Sequence, residues 1–176
     1  MKYLLENKQS ERLFFRKIQS SDADQWFPFF TDPNNHLYWP EERGTPEEEC
    51  SKWFEKQAYR YENDLGGMNA LIEKSSGLLV GYAGLLVQEV DGKQELEIAY
   101  SLLPTYWGRG YATEAAMKCK EYAFENDFAE SLISIISLPN VPSQKVALKN
   151  GMTIEKQSLY KNIPVYIFRI FRPVNP

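Results

Sequence analysis

A chain of 176 residues with 43% hydrophobic content can bury one substantial core and is short for two, so a single domain over residues 1–176 is expected. Twenty Lys and Arg against 24 Asp and Glu leave a net charge of −4, which excludes an overall basic field toward nucleic acid or anionic lipid. No apolar run approaches the roughly 20 residues that cross a bilayer, and "MKYLLENKQSERLFF" lacks the apolar core of a signal peptide. Cys50 and Cys119 match no metal-ligand or redox spacing, so a soluble, cytoplasmic, metal-free protein is expected.

Taken in chain order, "RLFFRKI" (12–18) has the length and composition of a strand. "SSDADQWFPFF" after it reads as a helix, with Ser21 as N-cap, Asp24 as its N3 partner and Pro28 limiting its regularity. "TPEEECSKWFEKQAYRYEN" carries Thr45 as N-cap, Pro46 at N1 and Glu48 at N3. Cys50, Trp53, Phe54, Ala58 and Tyr61 supply its apolar spacing, and the glycines at 66 and 67 are expected to end it. The period then changes: "MNALIEK", "LLVGYAGLLVQEV" and "QELEIAYSLL" read as three strands joined by "SSG" and "DGK", a meander of antiparallel hairpins. "GYATEAAMKCKEYAFENDF" is a helix with Ala112, Ala115, Ala116, Cys119 and Ala123 on one side, small enough to lie close on a sheet. "SLISIISL" is a buried strand and "SQKVALKNG" a short helix closed by Gly151. A last hairpin, "TIEKQSLYK" and "VYIFRIFR", turns around Asn162, Ile163 and Pro164. With no repeat, linker or low-complexity tract, the order of elements implies a compact α+β domain.

The stretch "LLPTYWGRGYATEAA" sets Gly108 and Gly110 between a strand and a helix start. There, free backbone N–H groups gather an anion, and glycine permits positive φ and close approach. Phosphate is the expected guest, with Arg109 adding charge at the rim. No Gly-Lys-Ser/Thr of a P-loop and no third glycine of a dinucleotide fingerprint is present. On spacing alone, a tight strand-to-helix turn without a ligand explains the pair better than a ligand site does.

These residues carry a resemblance. "LEIAYSLLPTYWGRGYATEA" resembles the acetyl-CoA-binding segment of the GNAT N-acetyltransferases, and most of all the ribosomal-protein N-terminal (alanine) acetyltransferase type. "SERLFFRKIQSSDADQW" resembles that group's first strand and helix and "LVGYAGL" its central strand. "NVPSQKVALKNGM" is similar to its second motif, with Asn140, Ser143, Lys149 and Gly151 in step. The resemblance covers nearly the whole chain. It implies a mixed, splayed central sheet of six or seven strands with about four helices, α+β in three layers. It also implies acetyl transfer from acetyl-CoA, as co-substrate, to a primary amine.

On these positions the resemblance implies that a bulge parts the fourth strand, "LEIAYSLL", from the fifth, and that the pantetheine arm fills the gap. Backbone groups near Tyr100 and Leu102 would bond that arm. The amides of Trp107, Gly108, Arg109, Gly110, Tyr111, Ala112 and Thr113 would wrap the pyrophosphate. Asn140 and Ser143 match positions that contact the arm; the alternative is capping of the helix that begins near Pro142, a role that suits Ser143 better than Asn140. The chain departs from the superfamily pattern at Thr105, where Gln or Arg is usual, and at Ala147, where many members place a tyrosine acid. Trp107 and Tyr111 are expected to pack the loop against the domain.

An amine must be neutral to attack a thioester, so a carboxylate near the splay is useful. Glu97 matches a family strand position from which a carboxylate reaches the amine; the other reading is a solvated face residue. On alternation, Leu96, Ile98 and Tyr100 share one face and Glu95, Glu97, Ala99 and Ser101 the other. His36 reads as a loop-packing or surface residue. The segment around Tyr38 and Trp39, with Glu41, Glu42 and Glu47 to Glu49, is aromatic and acidic and would tolerate a cationic acceptor. A protein N-terminus, a polyamine or other small amine, and an amino-sugar antibiotic stay open as acceptors. The chain would work as a monomer or homodimer. A non-catalytic acyl-CoA-binding module of the same fold is the alternative to an enzyme.

Overall fold

The computed structural model describes residues 2–36, 38 and 44–173. Seven strands form one sheet in the order β1-β2-β3-β4-β5-β7-β6: Leu13–Arg16, Gly66–Glu73, Leu79–Val90, Lys93–Leu102, Ser131–Ser137, Thr153–Tyr160 (β6) and Ile163–Phe171 (β7). Every pairing is antiparallel except that of β4 with β5, which is parallel and is in register at one position, Glu97 opposite Ile133. The sheet is therefore two ladders, β1–β4 and β5–β7, that meet at a vertex and part. Strand β4 keeps unbroken register with β3 from Lys93 to Leu102, so the bulge expected in the fourth strand is absent from that pairing. A bulge lies instead in β3, where Val80 is the extra residue, and its carbonyl accepts from Leu103 N (3.0 Å) as the chain leaves β4.

Strand alternation assigns the two faces. Leu96, Ile98 and Leu102 of β4 pack with Leu71, Leu85 and the small side of α4 (Tyr111–Glu125). Tyr111, Ala115, Ala116, Cys119 and Ala123 are buried there, as the small-residue stripe requires, while Ala112 is half-buried. The opposite face holds Met68, Ala70, Leu79 and Tyr82 against Trp26, Phe30 and Cys50. These come from two four-residue helices, α1 (Ala23–Trp26) and α2 (Pro28–Thr31), and from α3 (Pro46–Glu62). A last helix, α5 (Val141–Lys149), covers β5 and β7 through Ala147, Met152 and Phe168.

Local signals account for most boundaries. At α3, Thr45 Oγ1 accepts from Glu48 N (3.3 Å) and Glu48 Oε2 accepts from Thr45 N (3.0 Å), the expected capping box. Gly151 at φ 83° closes α5. Four readings need correction. Asp22, buried and ion-paired to Arg16 (2.6 Å), accepts from Gln19 N (2.9 Å), so the first turn is set by Gln19 and Asp22 rather than Ser21 and Asp24. Helix α3 stops at Glu62, with Asp64 at φ 52°, and Gly66 and Gly67 begin β2. Its buried face carries Gln57 and Arg60, while Ala58 is exposed. The final turn is Lys161–Asn162, both at positive φ as a two-residue hairpin requires, with Ile163 and Pro164 already inside β7.

Buried Asn69 ties the N-terminal segment to the sheet by donating to Ala83 O (3.1 Å) and accepting from Leu5 N (3.0 Å). Asn69→Ala leaves both partners buried and unsatisfied. It is expected to lower unfolding stability by about 2 kcal/mol in chemical denaturation, with the native fold retained.

Candidate active site

The vertex of the sheet is closed by side chains. One residue past Ile133, Ser134 Oγ donates to Ile98 O of β4 (2.8 Å); next, Ile135 N of β5 donates to Glu97 Oε1 (3.3 Å). Each group belongs to a strand that has lost its ladder partner, so a hydroxyl and a carboxylate do the work of the missing backbone. Glu97 is 7% exposed, and its other oxygen accepts from Gln88 Nε2 at 2.6 Å. Burial pushes its carboxyl up from the ordinary value. The Gln88 and Ile135 hydrogen bonds and the fields of Arg60 and Lys56 oppose that rise.

Behind Gln88 lies a buried cation that sequence reasoning missed. Arg60 donates to Leu65 O (2.9 Å), Val87 O (3.2 Å) and Gln88 Oε1 (3.0 Å), and Tyr160 OH donates to the same Gln88 oxygen (3.1 Å). The available signal was the stripe Cys50, Trp53, Gln57, Arg60, which keeps helical spacing once polar residues are admitted to it.

On the other side of β4, the chain runs through a 3-10 turn (Pro104–Tyr106) into the glycine loop. Gly108 (φ 73°) and Gly110 (φ 85°) both occupy the left-handed region that favours glycine. A Cβ on Gly108 would meet nothing within 4 Å, so that glycine serves backbone conformation and an open face rather than packing. Gly110 is the N-cap of α4 and supplies no capping side chain. Thr45 caps α3 and Asn140 Oδ1 caps α5, accepting from Ser143 N (3.1 Å); α4 begins with its first-turn N–H groups uncapped. That is the donor set of an anion site.

The start of α4 is braced from the segment just before β1. Glu114 in its first turn accepts from Ser10 Oγ (2.6 Å), Arg12 N (2.7 Å) and Arg12 Nε (2.7 Å), and Arg12 Nη1 donates to Arg109 O (3.0 Å). These bonds hold the Glu114 carboxyl below its ordinary value although burial opposes them. The Arg12 guanidinium also stacks 4.3 Å from the Tyr111 ring, and the Tyr111 hydroxyl hydrogen-bonds Glu73. Tyr111 packs the loop against the core, whereas Trp107 is exposed and its ring is tied by Nε1 donating to Leu102 O (2.9 Å), so the Leu102 carbonyl already holds one donor. Arg109 lies over the Tyr106 ring. A groove of about 520 Å³ starts at Gly110 and follows α4, with Thr113, Met117, Lys118 and Lys149 along it.

Tyr100 reaches across the parted strands, its hydroxyl donating to Ser143 O (2.9 Å), and burial raises its pKa. The capping role therefore falls to Asn140 and not to Ser143, the reverse of the sequence expectation. Ala147 is buried against Ile136, Met152 and Phe168, with no hydroxyl at that helix position. Of the acceptor-side residues, His36 ends a 3-10 turn (Pro33–His36) and Tyr38 is half-buried, while Trp39, Glu41 and Glu42 lie outside the described residues. Glu47 to Glu49 occupy the first turn of α3, where its dipole favours them. Among the described residues no cluster of metal-ligating side chains occurs, and no helix is long and apolar enough to cross a membrane.

The family model described as "Acetyltransferase (GNAT) domain" matches residues 12–153, from the Arg12 brace to the start of β6. The chain belongs to the GNAT acetyltransferase family. It is 28% identical over 182 aligned residues to the uncharacterized N-acetyltransferase p20 of Bacillus licheniformis, covering 96% of this chain and 97% of that protein. The ribosomal-protein-S5-alanine acetyltransferase of Vibrio fischeri superposes with a TM-score of 0.70 at 19% identity, over 93% of this chain and 95% of that one. The spermidine N-acetyltransferase of Vibrio cholerae, solved with CoA and spermine, superposes with a TM-score of 0.72 at 16% identity, over 91% and 95%. The chain is a GNAT-family N-acetyltransferase with the mixed, splayed sheet of that fold.

Because Glu97 is ionised less readily when folded, its contribution to stability is present in full below the ordinary carboxylate range. It is lost as pH rises through the raised value. Unfolding free energies of wild type and Glu97→Gln, measured from pH 4 to 8, are expected to diverge in favour of the variant as pH rises. A gap that stays constant with pH would show that folding leaves the carboxyl unperturbed.

Proposed function

We propose that this GNAT enzyme transfers the acetyl group of acetyl-CoA to a primary amine, either a protein N-terminus or a small amine. One observation carries the donor assignment: of the three long helices, α4 alone begins without a side-chain cap, directly after two left-handed glycines and beside parted strands. In this reading the amides of residues 107 to 113 bind the pyrophosphate, and the groove with Lys118 and Lys149 takes the nucleotide end. The arm runs along the free side of β4 near Tyr100 and Leu102, close to Asn140 and Ser143. The RimL ribosomal L7/L12 acetyltransferase, also solved with CoA, has the same fold and supports acetyl-CoA as the co-substrate.

Glu97 is the proposed base. It takes a proton from the ammonium or from the attacking nitrogen, the new C–N bond forms at the thioester carbon, and the C–S bond breaks to release the thiolate. Its burial supports this role, because a raised pKa holds a carboxylate nearer the working pH. Ala147 offers no acid for the thiolate. Catalysis then rests on positioning, which suffices for a good leaving group. Tyr38 and Trp39 are the proposed acceptor contacts.

Free thiol release from acetyl-CoA, measured with spermidine, aminoglycosides and Ala- or Ser-initiated peptides, tests the assignment and sorts the acceptors. Release above the hydrolytic background with at least one amine is expected; none with any amine, alongside intact acetyl-CoA binding, would favour a binding module. Gly108→Val is expected to weaken acetyl-CoA affinity by about tenfold or more in calorimetry, since positive φ is strained for a β-branched residue. Unchanged affinity in the folded variant would move the pyrophosphate elsewhere.

A further inference from the structure

We infer that Gln88 is a positioning residue for Glu97: its amide, held from behind by Arg60 and Tyr160, aims a donor at the carboxylate that serves as base. The inference rests on the reading of Glu97 as base, and the geometry supplies the rest. A glutamine side chain has one acceptor end and one donor end. Both Arg60 Nη2 (3.0 Å) and Tyr160 OH (3.1 Å) donate to Gln88 Oε1, and turning the amide over would set the donor-only guanidinium against its NH₂ and its oxygen against the Glu97 carboxylate. The amide has one satisfied orientation, and in it Nε2 donates to Glu97 Oε2 at 2.6 Å. Three elements thus converge on one carboxylate through one side chain: α3 by Arg60, β6 by Tyr160 and β3 by Gln88 itself.

The charged and titratable groups around Glu97 fix the expected sign. Arg60 and Lys56 face it from α3, and Tyr100 interacts with it from its own strand. Tyr160 stands behind Gln88 on β6, and at the closed end of the ladder Arg169 of β7 is already paired with Glu95 and Glu155. A donor to a carboxylate favours the ionised form. Removing it therefore makes Glu97 ionise at higher pH, and the acidic limb of turnover moves up with it. Losing Tyr160's hydroxyl loosens the amide and acts in the same sense, more weakly, and through Gln88 alone.

The test is a ¹³C NMR titration of the full chain labelled at glutamate carboxyls, with Glu97 assigned by the signal missing from Glu97→Gln. Gln88→Leu is expected to raise the Glu97 midpoint by about one pH unit, the value of a hydrogen bond to a charged group. Tyr160→Phe is expected to raise it by less, and to add nothing in the Gln88→Leu background. A Glu97 midpoint unchanged in Gln88→Leu overturns the inference, as does a Tyr160→Phe shift that persists in full without Gln88. Turnover against pH, with acetyl-CoA and spermidine or an Ala-initiated peptide, separates the two readings. An acidic limb that survives in Glu97→Gln overturns the base while the NMR result stands.

Discussion

The parting of β4 from β5 is the constraint on which the rest depends. A sheet that opens in its middle exposes backbone donors and acceptors inside the protein, and each unsatisfied one costs free energy comparable to a lost hydrogen bond. Here the opening is held by two side-chain bonds, Ser134 Oγ to Ile98 O and Ile135 N to Glu97, immediately past the single in-register pair. Each strand keeps a full ladder on its far side, β4 with β3 and β5 with β7, so neither needs the other to remain extended. The gap is a rigid feature of two ladders rather than a frayed edge.

The second requirement is an uncapped helix start that does not drift. An acid in the first turn of α4 would compete with an incoming anion for the same dipole, and Glu114 stands there. Its carboxylate is turned to the segment leading into β1, where Ser10 and both the backbone and guanidinium of Arg12 satisfy it. The same guanidinium holds Arg109's carbonyl, so one cation neutralises the competing charge and fixes the loop between the glycines. The first-turn N–H groups stay available because the nearby acid is already occupied.

The elements that could be read from sequence are those whose signals are local. Thr45, Pro46 and Glu48 mark a helix start by chemistry confined to one turn, and "SSG" and "DGK" mark hairpins in the same way. The glycine pair announced backbone geometry that the φ values bear out. The missed features are long-range. Arg12 with Glu114 spans 102 residues and Arg60 with Gln88 spans 28, and nothing in either neighbourhood identifies the partner. Gln57 and Arg60 were passed over because polar residues on a buried stripe break an apolar pattern that only tertiary partners restore. Asn140 and Ser143 exchanged capping roles because α5 begins at Val141, and one residue decides which side chain stands at the N-cap.

Glu97 has a structural duty and, in the proposed mechanism, a chemical one, and the two are compatible only through its lone pairs. An ionised carboxylate has about four acceptor sites. Ile135 N occupies one on Oε1 and Gln88 Nε2 one on Oε2, which leaves a site on each oxygen. A proton taken from an amine can enter one of these without displacing either donor, so the bond to β5 survives protonation. Had the vertex been closed through all four sites, each turnover would have opened the sheet. Had it been closed by an amide, no base would stand there. A carboxylate with two donors holds the strands apart and still accepts a proton.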